Sequence, residues 1–360
     1  MTTAIRWQPC VNHRPDEIEE FVSGYFGGAV GRILLIAGAG FDPRAKSVAD
    51  LLRTHCKQLP DGVFIKEERP NPDPVLVARA DSNLESLVPC VDKSWIFRID
   101  VFASDGAVVG GRTVLRELAA VDLALYSDVV IDSSALSIGI SFPLVKYVLE
   151  QGTTNCQNVH LFACDIPTLD RAIQPQLADR ATNIHGFRKV NELYSAATAA
   201  KLWLPQLAPS CGLALQRIFD EVQPNDTCPV LPFPSEDPKL SDRLLAEYLP
   251  ELENTWSVDA GSLIFADEND PLGLYRTILR IDDERALAFE ALGSSLLILS
   301  PLGSKMLAIG ALMAALDRDL PVYYVEARGY EVDWKATPTM GTHSPAIRHV
   351  WLSGEVYPHG

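Results

Sequence analysis

The sequence of 360 residues contains no CxxC pair. Its seven cysteines, Cys10, Cys56, Cys90, Cys156, Cys164, Cys211 and Cys228, are scattered along the chain. That argues against thiol zinc sites and a disulfide framework, and it fits a reducing cytoplasm. HxxxH and HExxH spacings are also missing, so no metal is expected; His343 and His349 simply lie in the C-terminal tail near Trp351. The opening, MTTAIRWQPCVNHRPDE, has no uninterrupted apolar core of the kind a secretory leader needs. No apolar run reaches the roughly 20 residues that span a bilayer. The longest candidate, SSLLILSPLGSKMLAIGALMAAL, is broken by Pro301, Gly303 and Lys305. Positive charge is scarce: 31 Lys and Arg stand against 47 Asp and Glu, a net charge of −16. Such a balance opposes bulk nucleic acid and anionic lipid, yet it permits a local pocket for a small phosphate. The expectation is a cytoplasmic protein with no membrane contact and no direct binding of bulk nucleic acid.

What is present is a large apolar fraction, 47%, with 22% charged residues and a mean hydropathy of +0.06. That is a folded chain with a sizeable core. Residues 1–31 read as a helical lead-in, with RPDEIEEFVSGYF spaced for a helix. Strands then alternate with helices. Strands are expected at 33–37, 62–68, 94–102, 128–132 and 158–165, and helices near 45–57, 111–121 and 140–150. Seven prolines between 205 and 238 mark a change of composition, with a short helix at 212–222. The rhythm resumes with strands at 261–267, 294–300 and 321–327 and helices at 274–292 and 304–318. IRHVWLSGEVY reads as a last edge strand. The expected fold class is therefore α/β, two Rossmann-like lobes with mostly parallel sheets. The expected domains are 1–204, a Pro-rich connection at 205–240, and 241–360.

Open α/β sheets bind ligands beyond the carboxyl ends of their strands, and three turns stand there. In Gly38-Ala39-Gly40-Phe41-Asp42-Pro43-Arg44 the glycines permit close backbone approach to a ligand. Asp42 can cap a helix, hold a ribose hydroxyl or act as a base, and Arg44 can pair with a phosphate. GxGxxG is not satisfied, because Pro43 stands where the third glycine belongs. The second turn is Asp132-Ser133-Ser134, an acid at a strand end followed by hydroxyls; capping alone would also explain it. The third is Ser300-Pro301-Leu302-Gly303-Ser304-Lys305. A lysine in the first turn of a helix sits beside the positive end of the dipole, and an anionic ligand would compensate for that. A solvent-facing lysine is the plain alternative.

The third turn and its helix, Leu296 to Leu316, resemble the signature of CARF-type Rossmann domains, which sense cyclic oligonucleotides in prokaryotic defence. The resemblance implies that Gly303, Ser304 and Lys305 line a ligand pocket with Ser133 and Ser134 opposite. It also implies a sensor that pairs with copies of itself or with other proteins. Ser300-Pro301-Leu302 replaces that family's asparagine-threonine-glycine lead. A second resemblance starts at GAGFD, which is similar to the GAG-x-S turn of sirtuin-like NAD-consuming domains. There His185-Gly186 would match the catalytic His-Gly, and Asp42 or His185 would support hydrolysis of NAD or a nucleotide. Asp42 replaces the serine, and no TxNxD segment lies between the two motifs. A third possibility is a non-catalytic interaction subunit. The leading expectation is a binding protein for a nucleotide or cyclic oligonucleotide, with Gly38, Gly40, Asp42, Arg44, Asp132, Ser133, Ser134, Gly303, Ser304 and Lys305 as ligand-binding residues.

Overall fold

A computed structural model describes residues 5–152, 157–190, 199–291, 293–335 and 346–357. Cys156 and His343 lie outside the described residues. The chain opens with β1 (Asn12–His13) and α1 (Ile18–Tyr25) and then alternates. β2 (Ile33–Gly38), α2 (Ser47–His55), β3 (Asp61–Glu68), α3 (Pro74–Leu87) and β4 (Ser94–Asp100) come first. α4 (Gly110–Leu118), β5 (Asp128–Asp132), α5 (Ile138–Gly152), β6 (Asn158–Asp165), α6 (Pro167–Ala172) and β7 (Ile173–Leu177) follow. Every residue of β2, β5 and β6 is buried. Unbroken burial of this kind belongs to parallel strands covered on both faces, and it requires the continuous apolar runs seen in the sequence.

A second alternation follows: β8 (Thr182–Asn183), β9 (Ala200–Pro205), α7 (Gly212–Val222), β10 (Asp226–Thr227), β11 (Val230–Pro232), α8 (Leu240–Glu247) and β12 (Ile264–Ala266). It continues through α9 (Pro271–Phe289), β13 (Ser295–Ser300), α10 (Lys305–Arg318) and β14 (Tyr323–Tyr324). The chain closes with β15 (Ala327–Val332), which pairs with β7, and β16 (Ala346–Ser353). α10 is apolar nearly all round and is buried from Met306 to Ala315, as a helix without a polar face must be. α9 crosses it at Gly310, where a Cβ would come within 2.5 Å of the Pro271 carbonyl oxygen.

Two compact lobes result. The first holds Trp7–Gln176 and Arg328–Gly360; the second is built on Leu177–Ala327. The expected boundary at 204/205 is therefore displaced. The chain passes between lobes inside β7 and again inside β15. The Pro-rich stretch 205–240 is part of the second lobe and carries α7, β10 and β11. Its prolines flank short elements rather than separating domains.

The first lobe has one sheet in the order β1-β16-β6-β5-β2-β3-β4. β6, β5, β2, β3 and β4 are mutually parallel. β16 is antiparallel to both β6 and β1, so it is an interior strand and not the edge that its terminal position suggested. The chain winds outward from β2 to β4, then returns to place β5 on the other side of β2. That reversal is the topological switch point of a doubly wound sheet.

The second lobe repeats the plan. β9 is parallel to β10 on one side and to β13 on the other. Gln206 bridges in parallel to Val230, which extends that side to β11 and thence to β12. Leu299 bridges to Val322 beyond β13. The switch point of this lobe lies between β9 and β13, where the Ser300–Lys305 turn begins. The chain is thus α/β, with two Rossmann-like lobes and mostly parallel sheets.

Candidate functional site

In the first lobe the switch point joins the Gly38–Arg44 turn to the Asp132–Ala135 turn. A Cβ on Gly38 would stand 2.7 Å from the Ala135 carbonyl oxygen, whereas one on Gly40 would stand 3.7 Å from it. Gly38 therefore serves the close packing of two backbones.

The polar groups of this crevice are turned on one another. Asp42 accepts the Arg44 amide at 2.8 Å and caps the short turn that leads into α2. Arg44, 2% exposed, holds Asp42 and Asp170, each at 2.7 Å. Burial disfavours its charge, but the two carboxylates outweigh that and hold it firmly protonated. Arg44 is thus an internal counterion for both carboxylates, while its Nη1 is buried without a hydrogen-bond partner. Asp132 accepts from the Ser134 amide at 2.9 Å and from the Ser134 hydroxyl. That hydroxyl accepts in turn from the Cys164 amide at 2.8 Å. The Ser133 hydroxyl donates to the Phe162 carbonyl at 3.0 Å. Burial pushes the Cys164 thiol up to about 12, which leaves no thiolate for chemistry.

Two residues that sequence reasoning missed complete the closure. Glu67, at the end of β3, accepts the Ser137 amide ahead of α5 at 2.8 Å and Arg69 at 2.7 Å. Asn83 of α3 donates to the carbonyls of Gly40 and Asp42 at 2.7 and 3.0 Å. Protein carboxylates thus occupy the helix starts where an anion would otherwise sit. Asp42 and Asp170 around one guanidinium leave that cluster net negative. Glu67 was visible in the sequence as an acid closing the strand GVFIKEE; Asn83 carried no signal.

The switch point of the second lobe differs. Ser304 caps α10, accepting the Leu307 amide at 3.3 Å, and its hydroxyl donates to the Glu268 carbonyl at 3.3 Å. Among the described residues, the amides of Gly303, Ser304, Lys305 and Met306 donate to nothing, and Lys305 has no carboxylate within ion-pair distance. Gly303, Ser304 and Lys305 are all half-buried. Gln206, 2% exposed, lies against this turn. Its Nε2 donates to the Leu307 carbonyl at 2.9 Å, and a Cβ on Gly303 would come within 3.0 Å of its Oε1. A side chain at position 303 would press on Gln206. The Ser300 hydroxyl accepts from the Trp203 indole at 2.9 Å and fixes the strand end.

Ser133 and Ser134 stand beside the Gly38 turn in the first lobe, while Gly303, Ser304 and Lys305 belong to the second. His185 is exposed in a turn after β8 of the second lobe, and Asp42 belongs to the first.

A separate titratable chain runs across β1, β16, β6 and β5, at the amino end of β5. His13 Nδ1 lies 2.9 Å from His349 Nδ1, His349 Nε2 lies 3.0 Å from His160 Nδ1, and His160 Nε2 lies 3.2 Å from Asp128 Oδ1. Tyr25 and Ser127 donate to the same carboxylate at 2.8 and 2.6 Å. Phe21 stacks on His13 and His349, and Trp351 lies over His160. Burial lowers all three imidazoles, His349 furthest. Burial pushes Asp128 up, but the hydrogen bonds from His160, Ser127 and Tyr25 prevail and hold it below the usual carboxylate range. Each His349 nitrogen faces a different partner, and no cluster among the described residues is arranged to hold a metal.

No family model matches the chain, and neither does any curated protein. Solved structures that resemble it include the cytoplasmic domain of a prokaryotic cation chloride cotransporter, at 11% identity over 83% of this chain and 96% of that one, with a TM-score of 0.24. A putative universal stress protein from Pseudomonas aeruginosa is similar at 11% identity over 82% and 92%, with a TM-score of 0.22. A universal stress protein from Archaeoglobus fulgidus is similar at 11% identity over 81% and 94%, with a TM-score of 0.23. At such scores these likenesses carry no functional argument. Among the described residues no helix is long and apolar enough to cross a membrane.

Proposed function

We propose that the second lobe binds a small nucleotide-like molecule through its phosphate at the Ser300–Lys305 turn. One contrast carries this reading. The helix starts of the first lobe are filled by Asp42 and Glu67, whereas the four amides from Gly303 to Met306, which lead into α10, donate to nothing among the described residues, and Lys305 has no carboxylate beside it. Free amides at a helix start and a cation together suit a phosphate. The base and sugar would extend from that anchor over the ends of β9 and β13, beside Gln206. The likeness of Leu296–Leu316 to CARF-type domains supports cyclic oligonucleotides as candidates and a sensing role in prokaryotic defence.

Isothermal calorimetry against mononucleotides, dinucleotides and cyclic oligonucleotides tests the proposal. Binding of at least one is expected, weakened ten-fold or more in Lys305→Ala, which corresponds to about 1.4 kcal/mol. Wild-type protein that gives neither heat nor a thermal shift with any of them overturns it. Hydrolysis is not part of the proposal, because the Asp42 carboxylate is engaged by Arg44.

A further inference from the structure

The first-lobe sheet ends on one side at the two residues of β1 and on the other at the seven of β4. Nothing pairs with the outer side of β4 among the described residues. The Lys93 carbonyl accepts from Gly62, and the Val101 amide donates to Glu68. Odd-numbered residues therefore direct their backbone groups at β3. The alternation of a parallel strand then turns the N–H and C=O of Ser94, Ile96, Arg98 and Asp100 outward. No amide of these four residues has a partner on the outer side.

Natural edges of this length are blunted by proline, by a bulge, or by an outward charge. β4 has neither proline nor bulge. Its one strand-centre charge, Arg98, is turned back along the sheet to Glu68 at 3.0 Å. Trp95 and Ile96 remain 36% and 45% exposed.

We infer that β4 pairs antiparallel with β4 of a second copy of this chain, about a two-fold axis at Phe97. Ladder bonds require outward residues opposite outward residues, so the axis must pass through a residue and not between two. An axis at Ile96 sets Asp92 against the partner's Asp100. An axis at Arg98 sets that guanidinium against itself. The axis at Phe97 is the midpoint of β4, pairs its whole length, and opposes no like charges. Ser94 faces Asp100 and Ile96 faces Arg98, while Trp95 faces Ile99 and the two Phe97 rings meet. Apolar and aromatic cross-strand pairs of this kind stabilise a ladder. Two sheets then become one, and the exposed edge disappears.

Light scattering after size exclusion, on the full chain from micromolar to submillimolar concentration, is expected to show a dimer. Ile96→Lys sets a lysine against Arg98 and is expected to give a monomer with unchanged circular dichroism and melting temperature. Phe97→Cys supplies the register. Non-hydrogen-bonded antiparallel partners have Cα atoms about 4.5 Å apart, within disulfide reach. Mild oxidation should therefore link two copies at that position, while wild type and Ile96→Cys, which faces Arg98, stay unlinked. A monomer at every concentration overturns the inference and leaves the edge to an extended segment of another protein. A dimer that survives Ile96→Lys, with no link in Phe97→Cys, overturns it equally.

Discussion

His160 directs its Nε2 proton at Asp128 across 3.2 Å, and that contact fixes the tautomer of the two histidines behind it. With Asp128 ionised, His160 Nδ1 must accept from His349 Nε2, and His349 Nδ1 must accept from His13. Every proton in the chain points toward the carboxylate. A second proton on His349 would face the proton of His13, so the array is built for neutral imidazoles.

Acid should therefore destabilise the first lobe well above the carboxylate range. Burial lowers the folded-state affinity of His160 and His349 for protons. Above about pH 6.5 neither the folded nor the unfolded chain protonates these groups, and their contribution is constant. Below it the unfolded chain takes up protons that the folded one refuses, so stability falls with pH. The slope approaches about 1.4 kcal/mol per pH unit for each buried imidazole, and half-buried His13 adds less. Urea denaturation at about pH 7.5 and pH 5.5 measures it. A flat profile contradicts the prediction.

Gly38→Ala should cost about 1–3 kcal/mol, because the new methyl meets a carbonyl oxygen held by its own backbone. Gly40→Ala, with ordinary contact distance to the same oxygen, should cost much less. Denaturant midpoints of the two variants, measured side by side, decide whether the first glycine turn serves packing. Equal costs would remove the distinction.

Arg44→Ala should be among the most damaging single changes, at about 3–5 kcal/mol, because it leaves Asp42 buried without its counterion. Arg44→Met combined with Asp42→Asn and Asp170→Asn should recover part of the loss. A triple variant no better than Arg44→Ala would show that shape, and not charge, is what the guanidinium supplies.

Lys305→Ala should raise stability slightly, by about 0.3–1 kcal/mol, since it removes a cation from a helix start. The same change should weaken nucleotide binding. Gain of stability with loss of binding in one variant would support the proposed ligand contact. Loss of stability in this variant would instead mean that Lys305 has a structural partner in solution.

The strands with apolar runs at their centres, β2, β5 and β13, were plain in the sequence, because parallel strands covered on both faces need such runs; β6 was legible too, although His160 breaks its run. α3 was not, since it buries only Ala80 and Leu87 and shows no apolar stripe. β9 was hidden as well; AKLWLP is short and carries a lysine. The three turns were legible as turns. Which of them meet was not, because strand order is set by packing between residues far apart in sequence. Asp170, which helps to neutralise Arg44, and Gln206, which fills the space beside Gly303, carry no local mark at all.

The return of β16 to a place between β1 and β6 has a consequence for synthesis on the ribosome. The second lobe is complete in sequence once Ala327 has been made. The first lobe must wait for Ser353, made after the whole of the second lobe, before its sheet can close. The middle of the chain is thus free to mature while the older amino-terminal half is still unfinished. Stopping synthesis a few residues before Ala346 would disable the part of the molecule that was made first.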